Sequence, residues 1–341
     1  MFRNVLRPCL SLLLLIMAFG GEAWGQFKYA NLMEPIQPLS KTNLHDGYFT
    51  VGLRKYLNSF TSYEFLDPNN RQVDPLSRLE WPWEQAFGVV KAGANYKGLQ
   101  VNFEGSSTLF TYSGLLAQDS DWGSPPYDPS QKDTFSDGLA MPRAWTIDAS
   151  VGFDLPIISC VRWVIGYRAQ QFRFTYTDST QWSLIPNNSG YSPGESIQFT
   201  QNYKQYYGGG VVGVEIDLAN VSSRLSETYL VLRFLGDVGY VTANNVDFHV
   251  LRLPAPRFTY ESTHGISWRV NLATDFHVTN RLTLGLAGEF MRIRTGGSHR
   301  WTHPSGIDDE GNFVDAVDRT WDGCRVWSDQ KFIEINAALN F

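Results

Sequence analysis

The last eleven residues of the chain, Lys331–Phe341, read KFIEINAALNF and carry the period of a β-strand. Apolar side chains take alternate positions, at Ile333, Ile335, Ala337, Leu339 and Phe341. The positions between them hold Glu334, Asn336, Ala338 and Asn340. Because successive side chains of an extended strand point to opposite faces, this stretch has one apolar face and one polar face. It predicts a strand that separates an apolar environment from a polar one.

The same alternation returns along the chain. Strand-like runs of this kind lie at residues 99–104, 212–218, 230–240, 266–276 and 282–290. The longer runs last about 9–11 residues, which is the length of a tilted strand that crosses a membrane, whereas strands of soluble proteins usually have about 5–6 residues. The run lengths therefore favour membrane-crossing strands over a soluble β-sandwich.

The composition also indicates a membrane protein built from strands. Apolar residues make up 43% of the 341 residues and charged residues 18%, against about 25% charged residues in a typical soluble protein. No stretch after residue 26 approaches the ~18 uncharged apolar residues of a transmembrane helix. In a β-barrel, polar interior residues dilute the apolar ones, and a final Phe is typical of bacterial outer-membrane barrels. A formal net charge of −6 argues against nucleic-acid binding.

The connections between the predicted strands alternate in length. Short connections are expected near Tyr96–Gly98, Leu155–Val161, Ala219–Glu227 and Thr279–Arg281. Long connections are expected near Leu66–Leu76, Asp119–Pro142, Asp178–Gln201, Asn245–Pro256 and Gly297–Trp327. Short turns at one end and long loops at the other are typical of outer-membrane barrels, with the long loops outside the cell. We therefore expect residues 46–341 to form one all-β domain, a ten-stranded antiparallel transmembrane β-barrel with long extracellular loops.

The N-terminal residues have a different character. Residues 1–25 combine basic Arg3 and Arg7 with an apolar stretch and a small-residue cleavage site, which predicts a secretory signal peptide removed before Gln26. Residues 26–45 have no clear period and are interpreted as a segment before the first strand. Cys160 is expected near a short turn and Cys324 in a long outer loop, so the two thiols should be too far apart to pair.

Two short polar motifs are candidates for chemistry. Asp119 and Asp121 follow the predicted third strand, and Asp247 and His249 follow the predicted seventh strand. Strands three and seven of ten lie nearly opposite each other in a ring, so the two pairs should face one another at the outer mouth. Asp247 can orient and charge-stabilise the His249 ring as a general base. The carboxylate pair can share a proton and hold a water molecule. This arrangement suits hydrolysis of a peptide bond without a Ser or Cys nucleophile or a metal.

These motifs resemble the catalytic pairs of the omptins, which are outer-membrane endopeptidases with a ten-stranded barrel fold. The resemblance extends from about residue 46 to the C-terminus and includes Arg257–Tyr260 and Gly166–Tyr167. It implies that Asp119–Asp121 is the catalytic aspartate pair and that Asp247–His249 is the catalytic Asp–His couple. The implied mechanism is attack by a water held between the two pairs.

The resemblance also assigns a substrate pocket, in which this sequence departs from the family. Omptins carry an acid two residues before the Asp of the couple, where this chain has Asn245. A second pocket acid aligns with Ser62, and Glu64 lies close by. The fifth outer loop holds six acidic residues between Asp308 and Asp322, and such a rim attracts cationic peptides. Polypeptides, cationic ones in particular, are therefore the expected substrates.

Members of the family require lipopolysaccharide, which basic residues on the outer wall bind. Tyr167 matches that site, whereas the basic positions of the motif are Gln171, Tyr206 and Pro256 in this chain. The nearby basic residues Arg168, Arg173, Lys204 and Arg257 are candidate replacements. Outer-membrane lipid is thus an expected partner and lipopolysaccharide a candidate activator. No metal is expected, because the GIDDEGN run at residues 306–312 lacks the ligand spacing of a known calcium loop.

Two other functions fit the same barrel. A non-catalytic adhesin would retain the fold and use the altered pocket only for binding. A porin would conduct ions, but a wider channel would need more and shorter strands than this sequence predicts.

Overall fold

The computed structural model describes residues 46–341 except 112–113, 124–127, 129, 156–159, 184–195, 219–229, 250–256, 280 and 308–310. The expected signal peptide and the segment 26–45 lie outside the described residues. Across the described ranges, no helix has the length and hydropathy needed to cross a bilayer.

The described residues form fifteen β-strands. They are β1 (Asp46–Tyr56), β2 (Phe60–Phe65), β3 (Ser77–Pro82), β4 (Ala86–Tyr96), β5 (Leu99–Thr108), β6 (Leu116–Asp121), β7 (Thr134–Asp154), β8 (Val161–Ser183), β9 (Ser196–Asp217), β10 (Leu230–His249), β11 (Arg257–His277), β12 (Leu282–His303), β13 (Gly306–Ile307), β14 (Phe313–Val314) and β15 (Val317–Asn340).

Ten wall strands close into one antiparallel ring, which confirms the fold class expected from the sequence. The first three wall strands are each built from two pieces, because β1 continues as β2, β3 as β4 and β5 as β6. In one half of the barrel β1, β4 and β5 complete the ring between β15 and β7. In the other half β2, β3 and β6 complete it. Pro82 ends β3 at such a break, because proline has no N–H for the ladder.

The two ends of the barrel differ in their connections. At the turn end, β4 joins β5 through Lys97 and Gly98, which both have positive φ, at 49° and 81°. A two-residue hairpin turn of this conformation matches the twist of the paired strands and favours glycine. At the opposite end, which we call the loop end, the connections include residues 66–76, 122–133 and 304–316.

The wall strands run further toward the loop end than the sequence predicted. β7 has 21 residues, β12 has 22 and β15 has 24, so half of the expected loop Asp119–Pro142 and most of the expected loop Gly297–Trp327 are strand. The expected loop boundaries were wrong because a strand above the membrane has water on its outer face. Its apolar alternation then disappears although its backbone pairing continues.

The two cysteines among the described residues illustrate the same point. Cys324 lies in β15 and is buried, rather than in an outer loop as expected. Both Cys160 and Cys324 are free thiols, in agreement with the sequence prediction.

A band of exposed apolar side chains surrounds the half of the barrel toward the turn end. On β15, Ile333, Ile335 and Leu339 are 52%, 60% and 57% exposed, while Glu334 between them is 1% exposed. The apolar face of the C-terminal strand therefore points outward and its polar face points into the lumen, the interior of the barrel. This is the arrangement that a barrel needs in lipid.

Behind the apolar band, ion pairs fill the lumen. The Arg54 guanidinium contacts Glu104 and Glu334, each at 2.6 Å. Arg168 contacts Asp148 and Asp237, each at 3.0 Å. Buried charges are normally paired in this way, because an unpaired charge is costly to remove from water.

Toward the loop end, a layer of buried aromatic rings replaces the ion pairs. Trp83 is fully buried, and its ring centroid lies 4.2 Å from that of Tyr56 and 4.4 Å from that of Phe172. Trp81 stacks on Phe174 and Tyr203. At these levels the lumen of the described barrel is packed with side chains rather than open.

Candidate functional site

The Asp247–His249 couple lies in the last three residues of β10, at the loop end of the strand. The two residues are i and i+2 of one strand, so both side chains point into the lumen. Nε2 of His249 lies 3.0 Å from Oδ2 of Asp247, whose side chain is fully buried, while that of His249 is 16% exposed. The sequence suggested that this motif follows the strand. In the structure the motif is part of the strand itself.

Neighbouring strands surround the couple with hydrogen-bond donors. The Tyr63 hydroxyl of β2 donates to Oδ2 of Asp247 at 2.5 Å, and the Gln201 amide of β9 donates to the same oxygen. Sequence reasoning missed both residues. Gln201 lies two positions before Tyr203 on the same face, but only the pairing of β9 with β10 brings it beside His249, its cross-strand partner.

Asp119 and Asp121 lie in β6, at the level of the couple. Asp119 is opposite Leu79 of β3, which is opposite Tyr63 of β2. Cross-strand partners share a face, and buried Leu79 marks that face as the lumen side. Asp121 accepts a hydrogen bond from Thr134 at 2.7 Å. Asp119 therefore shares a lumen row with Tyr63, whose hydroxyl binds Asp247, and Asp121 lies two residues further along β6 on the same face, opposite Ser77.

An aromatic chain connects the surroundings of the two pairs. Trp81 packs edge-on against Tyr176, with ring centroids 5.7 Å apart, and stacks on Tyr203 at 5.3 Å. Tyr203 stacks in turn on Tyr63 at 5.3 Å. Burial raises the pKa of Tyr176, and the nearby carboxylate of Asp119 adds to this rise. Asp247 contributes in the same sense to the raised pKa of Tyr63, after burial. The phenols are thus neutral, with Asp119 near Tyr176 and Asp247 near Tyr63.

An unanticipated acid lies beside Asn245. Glu261 of β11 is the cross-strand partner of Asn245 and is 1% exposed. Its Oε1 lies 3.0 Å from Nδ1 of His299 on β12. Burial raises the pKa of the Glu261 carboxyl. Glu261 is two residues from Thr259 and from Thr263, so the three side chains share one face of the strand. The sequence alone could not place Glu261 opposite Asn245.

Asn245 itself is buried, with 2% exposure, and its side chain points into the lumen. Neither its Oδ1 nor its Nδ2 makes a hydrogen bond to any described residue. Buried amides normally have partners, so this side chain is suited to contact a ligand. Its role as a substrate-binding residue stays a prediction.

Ser62 and Glu64 do not join this cluster. They alternate with Tyr63 along β2, and Tyr63 points into the lumen, so both point to the outer face. The Ser62 hydroxyl donates to the Leu79 carbonyl at 2.5 Å. Glu64 forms ion pairs of 2.6 Å with Arg78 and Arg325. The expectation that these two residues belong to the substrate pocket is therefore corrected, because a one-residue step along a strand reverses the face.

The residues expected to bind lipid divide between the two faces of the wall. Tyr167 is 49% exposed on the outside. Arg168 points into the lumen, where it pairs with Asp148 and Asp237, so it cannot contact outer lipid and that expectation is corrected. Arg173 and Lys204 are exposed cross-strand partners on the outer face. Arg257 is the cross-strand partner of His249 and shares its lumen face, with its guanidinium 4.5 Å from the ring of Trp301, so the expectation that it binds outer lipid is corrected as well.

Sequence reasoning missed a third cation in this outer row. Arg143 of β7 is exposed and is the cross-strand partner of Arg173. Arg143, Arg173 and Lys204 form no ion pair with any acidic residue that the structure describes. Like charges opposite one another repel, so the row is suited to an anionic ligand.

No cluster of potential metal ligands occurs among the residues whose positions are described. Asp308, Asp309 and Glu310 of the acidic fifth loop lie outside those residues.

Comparisons with known proteins agree with the fold. No protein-family model and no curated protein sequence matches the chain. Among solved structures, the outer membrane protease OmpT from Escherichia coli matches with a TM-score of 0.63 and 14% identity, over 88% of this chain and 98% of that one. The translocator domain of the autotransporter NalP from Neisseria meningitidis matches with a TM-score of 0.37 and 7% identity, over 86% of this chain and 88% of that one.

A third solved structure, the outer membrane protein OprG from Pseudomonas aeruginosa, matches with a TM-score of 0.34 and 8% identity, over 87% of this chain and 96% of that one. At these identities the likeness concerns the fold alone, and of these three structures OmpT has the similar fold, with a TM-score above 0.5. The protein has the fold of an outer-membrane β-barrel, with a cluster of acidic and histidine side chains in the lumen at its loop end.

Proposed function

We propose that this protein is an endopeptidase of the bacterial outer membrane whose loop end faces outward. The observation that carries the proposal is the Asp247–His249 couple, with its side chains 3.0 Å apart in the lumen. Tyr63 links this couple to the row that contains Asp119. The OmpT structure, which is named as an outer membrane protease, supports the proposal through its similar fold.

In the proposed reaction, a water molecule between the two pairs attacks the carbonyl carbon of the substrate. His249 accepts a proton from this water, and the Asp247 carboxylate stabilises the imidazolium that results. Asp119 and Asp121 hold the water by hydrogen bonds. The tetrahedral intermediate then expels the amine, and the C–N bond breaks as His249 returns the proton to the leaving nitrogen. No covalent enzyme intermediate is formed.

A proteolysis assay tests the proposal. The chain without residues 1–25 is refolded in detergent and incubated with a diverse peptide mixture, and mass spectrometry identifies the cut sites. We expect cuts that disappear in His249→Ala and in Asp119→Ala. His264→Ala is the matched control, because His264 is exposed and lies on the outer wall, where its ring centroid is 6.1 Å from that of Tyr240. Equal cutting by His249→Ala and the original chain would refute the proposal.

The charges around the site favour cationic peptides as substrates. Asp119, Asp121, Asp247 and Glu261 all point into the lumen at the loop end. Arg257 and the two histidines His249 and His299 oppose them. Carboxylates in a low-dielectric cleft attract positive ligands. The residues that flank the mass-spectrometric cut sites would reveal this preference, and cuts without any enrichment of Lys or Arg nearby would refute it.

A channel is the less favoured function, because ion pairs and aromatic rings fill the described lumen at two levels. The ion pairs of Arg54 lie at the level of the membrane, and Trp81 and Trp83 lie above them. We expect no stepwise ion conductance from the refolded barrel in a planar bilayer. Reproducible conductance steps would favour the channel.

We also propose that lipopolysaccharide activates the enzyme by binding the outer wall. The exposed cations Arg143, Arg173 and Lys204 lie above Tyr167 in adjacent strands, and their positive charges suit the phosphates of this lipid. The residues therefore fit the group that the family resemblance implies. A triple substitution of these cations to Gln should abolish stimulation by lipopolysaccharide while leaving lipid-free activity unchanged. Full stimulation of the triple variant would refute this proposal.

A further inference from the structure

The Asp247 carboxylate receives its hydrogen bonds on one oxygen. Oδ2 accepts from the Tyr63 hydroxyl and the Gln201 amide, and it also contacts Nε2 of His249. Oδ1 is buried and accepts no hydrogen bond from any described residue. Tyr63 and Gln201 are 1% and 2% exposed, so water has little access to their bonds.

These donors crowd a single atom. A carboxylate oxygen offers about two lone-pair sites, which Tyr63 and Gln201 are sufficient to occupy. The contact from His249 is a third one on the same oxygen. In addition, Nε2 of Gln201 lies 3.2 Å from Nε2 of His249. Gln201 and His249 therefore compete for Oδ2 of Asp247.

We propose that Tyr63 and Gln201 are positioning residues that fix the Asp247 carboxylate and limit how strongly it pairs with the His249 ring. This inference rests on the proposed peptidase function, in which His249 must be neutral to accept a proton. A ring that is bound too strongly by its carboxylate partner would stay protonated at neutral pH and could not act as a base.

Other charged and titratable groups around His249 also act on its protonation. The acidic residues on the surrounding lumen face are Asp119 and Asp121 of β6 and Glu261 of β11. Arg257 of β11 lies directly opposite His249 and opposes its protonation. The phenols are Tyr63 and Tyr203.

Burial raises the pKa of both phenols, and Asp247 adds to the rise in each. The Tyr63 hydroxyl therefore stays protonated and remains a donor throughout the neutral range.

Removing either donor should strengthen the His249 pair. In Tyr63→Phe or Gln201→Met, the Asp247 carboxylate loses a hydrogen bond and its charge acts more fully on the imidazolium. We expect the pKa of His249 to rise by about 0.5 to 1 unit in each variant. The acid limb of the peptide-hydrolysis rate should move up in pH by the same amount. The loss of kcat should then be large near pH 6 and small near pH 9, whereas a general structural defect lowers kcat at every pH.

The experiment titrates His249 directly. The chain is labelled with ¹³C and ¹⁵N in its histidine rings and refolded in micelles, and NMR follows the rings between about pH 5 and 9. The His249 signal is the one absent from His249→Ala. Tyr203→Phe is the matched control, because Tyr203 stacks on Tyr63 with ring centroids 5.3 Å apart but its hydroxyl accepts from Gln205. Thermal melting verifies that every variant is folded.

The outcomes separate this inference from the peptidase proposal. An unchanged His249 pKa in both Tyr63→Phe and Gln201→Met would overturn the inference, as would an equal rise in Tyr203→Phe. Raised values in the two test variants alone would support it. If those values are raised while the original chain cuts no peptide, the positioning role stands and the peptidase proposal fails.

Discussion

The aromatic layer below the site can be tested through Trp81. Its side chain is 1% exposed and packs against Phe174, Tyr176 and Tyr203, with ring centroids 5.2, 5.7 and 5.3 Å away. Burying a Trp removes about 200 Å² from water, which at ~25 cal/mol per Å² stabilises the fold by about 5 kcal/mol as an upper estimate. Measured Trp→Ala changes in cores cost about 3–5 kcal/mol. We therefore expect Trp81→Ala to lower the free energy of unfolding by about 4 kcal/mol.

Thermal unfolding in detergent, followed by far-UV circular dichroism, measures this change. A loss of about 4 kcal/mol corresponds to a midpoint lowered by roughly 10 °C for a domain of this size. Trp81→Phe keeps a ring in the stack and should cost less than about 2 kcal/mol. Trp163→Ala is the control for an outward Trp, since Trp163 is 47% exposed. A Trp81→Ala effect no larger than that of Trp163→Ala would refute the close-packed aromatic layer.

Three further predictions concern side chains that differ in burial. Because burial raises the pKa of Glu261, the folded state favours its protonated form. Stability therefore falls as pH rises from the unfolded value near 4.5 through the folded value, by about 1.4 kcal/mol per unit of elevation. Urea unfolding of Glu261→Gln between pH 4 and 8 should lack this fall, and an identical pH dependence would contradict the assignment. Arg168→Met should lower the free energy of unfolding by about 1–3 kcal/mol, because the buried carboxylates of Asp148 and Asp237 lose one of their two cations and keep Arg269. Exposed Arg173→Met should change the free energy of unfolding by less than about 0.5 kcal/mol; equal effects would place both on one face. In folded protein a maleimide reagent should label Cys160 and not Cys324, because burial raises the pKa of the Cys324 thiol and excludes the reagent; mass spectrometry of labelled peptides tests this, and labelling of Cys324 before unfolding would contradict it.

Part of the site could be predicted from the spacing of residues along a strand. The i, i+2 spacing of Asp247 and His249 places both side chains on one face of any strand, and the structure has them 3.0 Å apart. The sequence also predicts to which side of the barrel wall the Arg168 side chain points. This residue directly follows Tyr167, which was assigned to the outer wall, so Arg168 had to point inward. Closeness to Tyr167 in the sequence therefore does not bring the Arg168 guanidinium to the outer face.

Other features depend on pairing between distant strands. Glu261 reaches Asn245 only through the register of β10 with β11, and Gln201 reaches His249 only through that of β9 with β10. Ser62 and Glu64 face outward because β2 turns Tyr63 toward Asp247. The burial of Cys324 likewise follows from the extension of β15 beyond the membrane.

The sequence by itself determined the strands, their apolar outer faces at membrane level and the closed ten-stranded ring. These follow from the geometry of an extended backbone, which alternates side chains every residue whatever the rest of the chain does. Only the tertiary structure decided where the strands end above the membrane and which polar side chains meet in the lumen. Where water replaces lipid outside the barrel, both faces of a strand can be polar, so alternation no longer marks the inner face. The contacts of the site then depend on cross-strand register, which joins residues far apart in the chain.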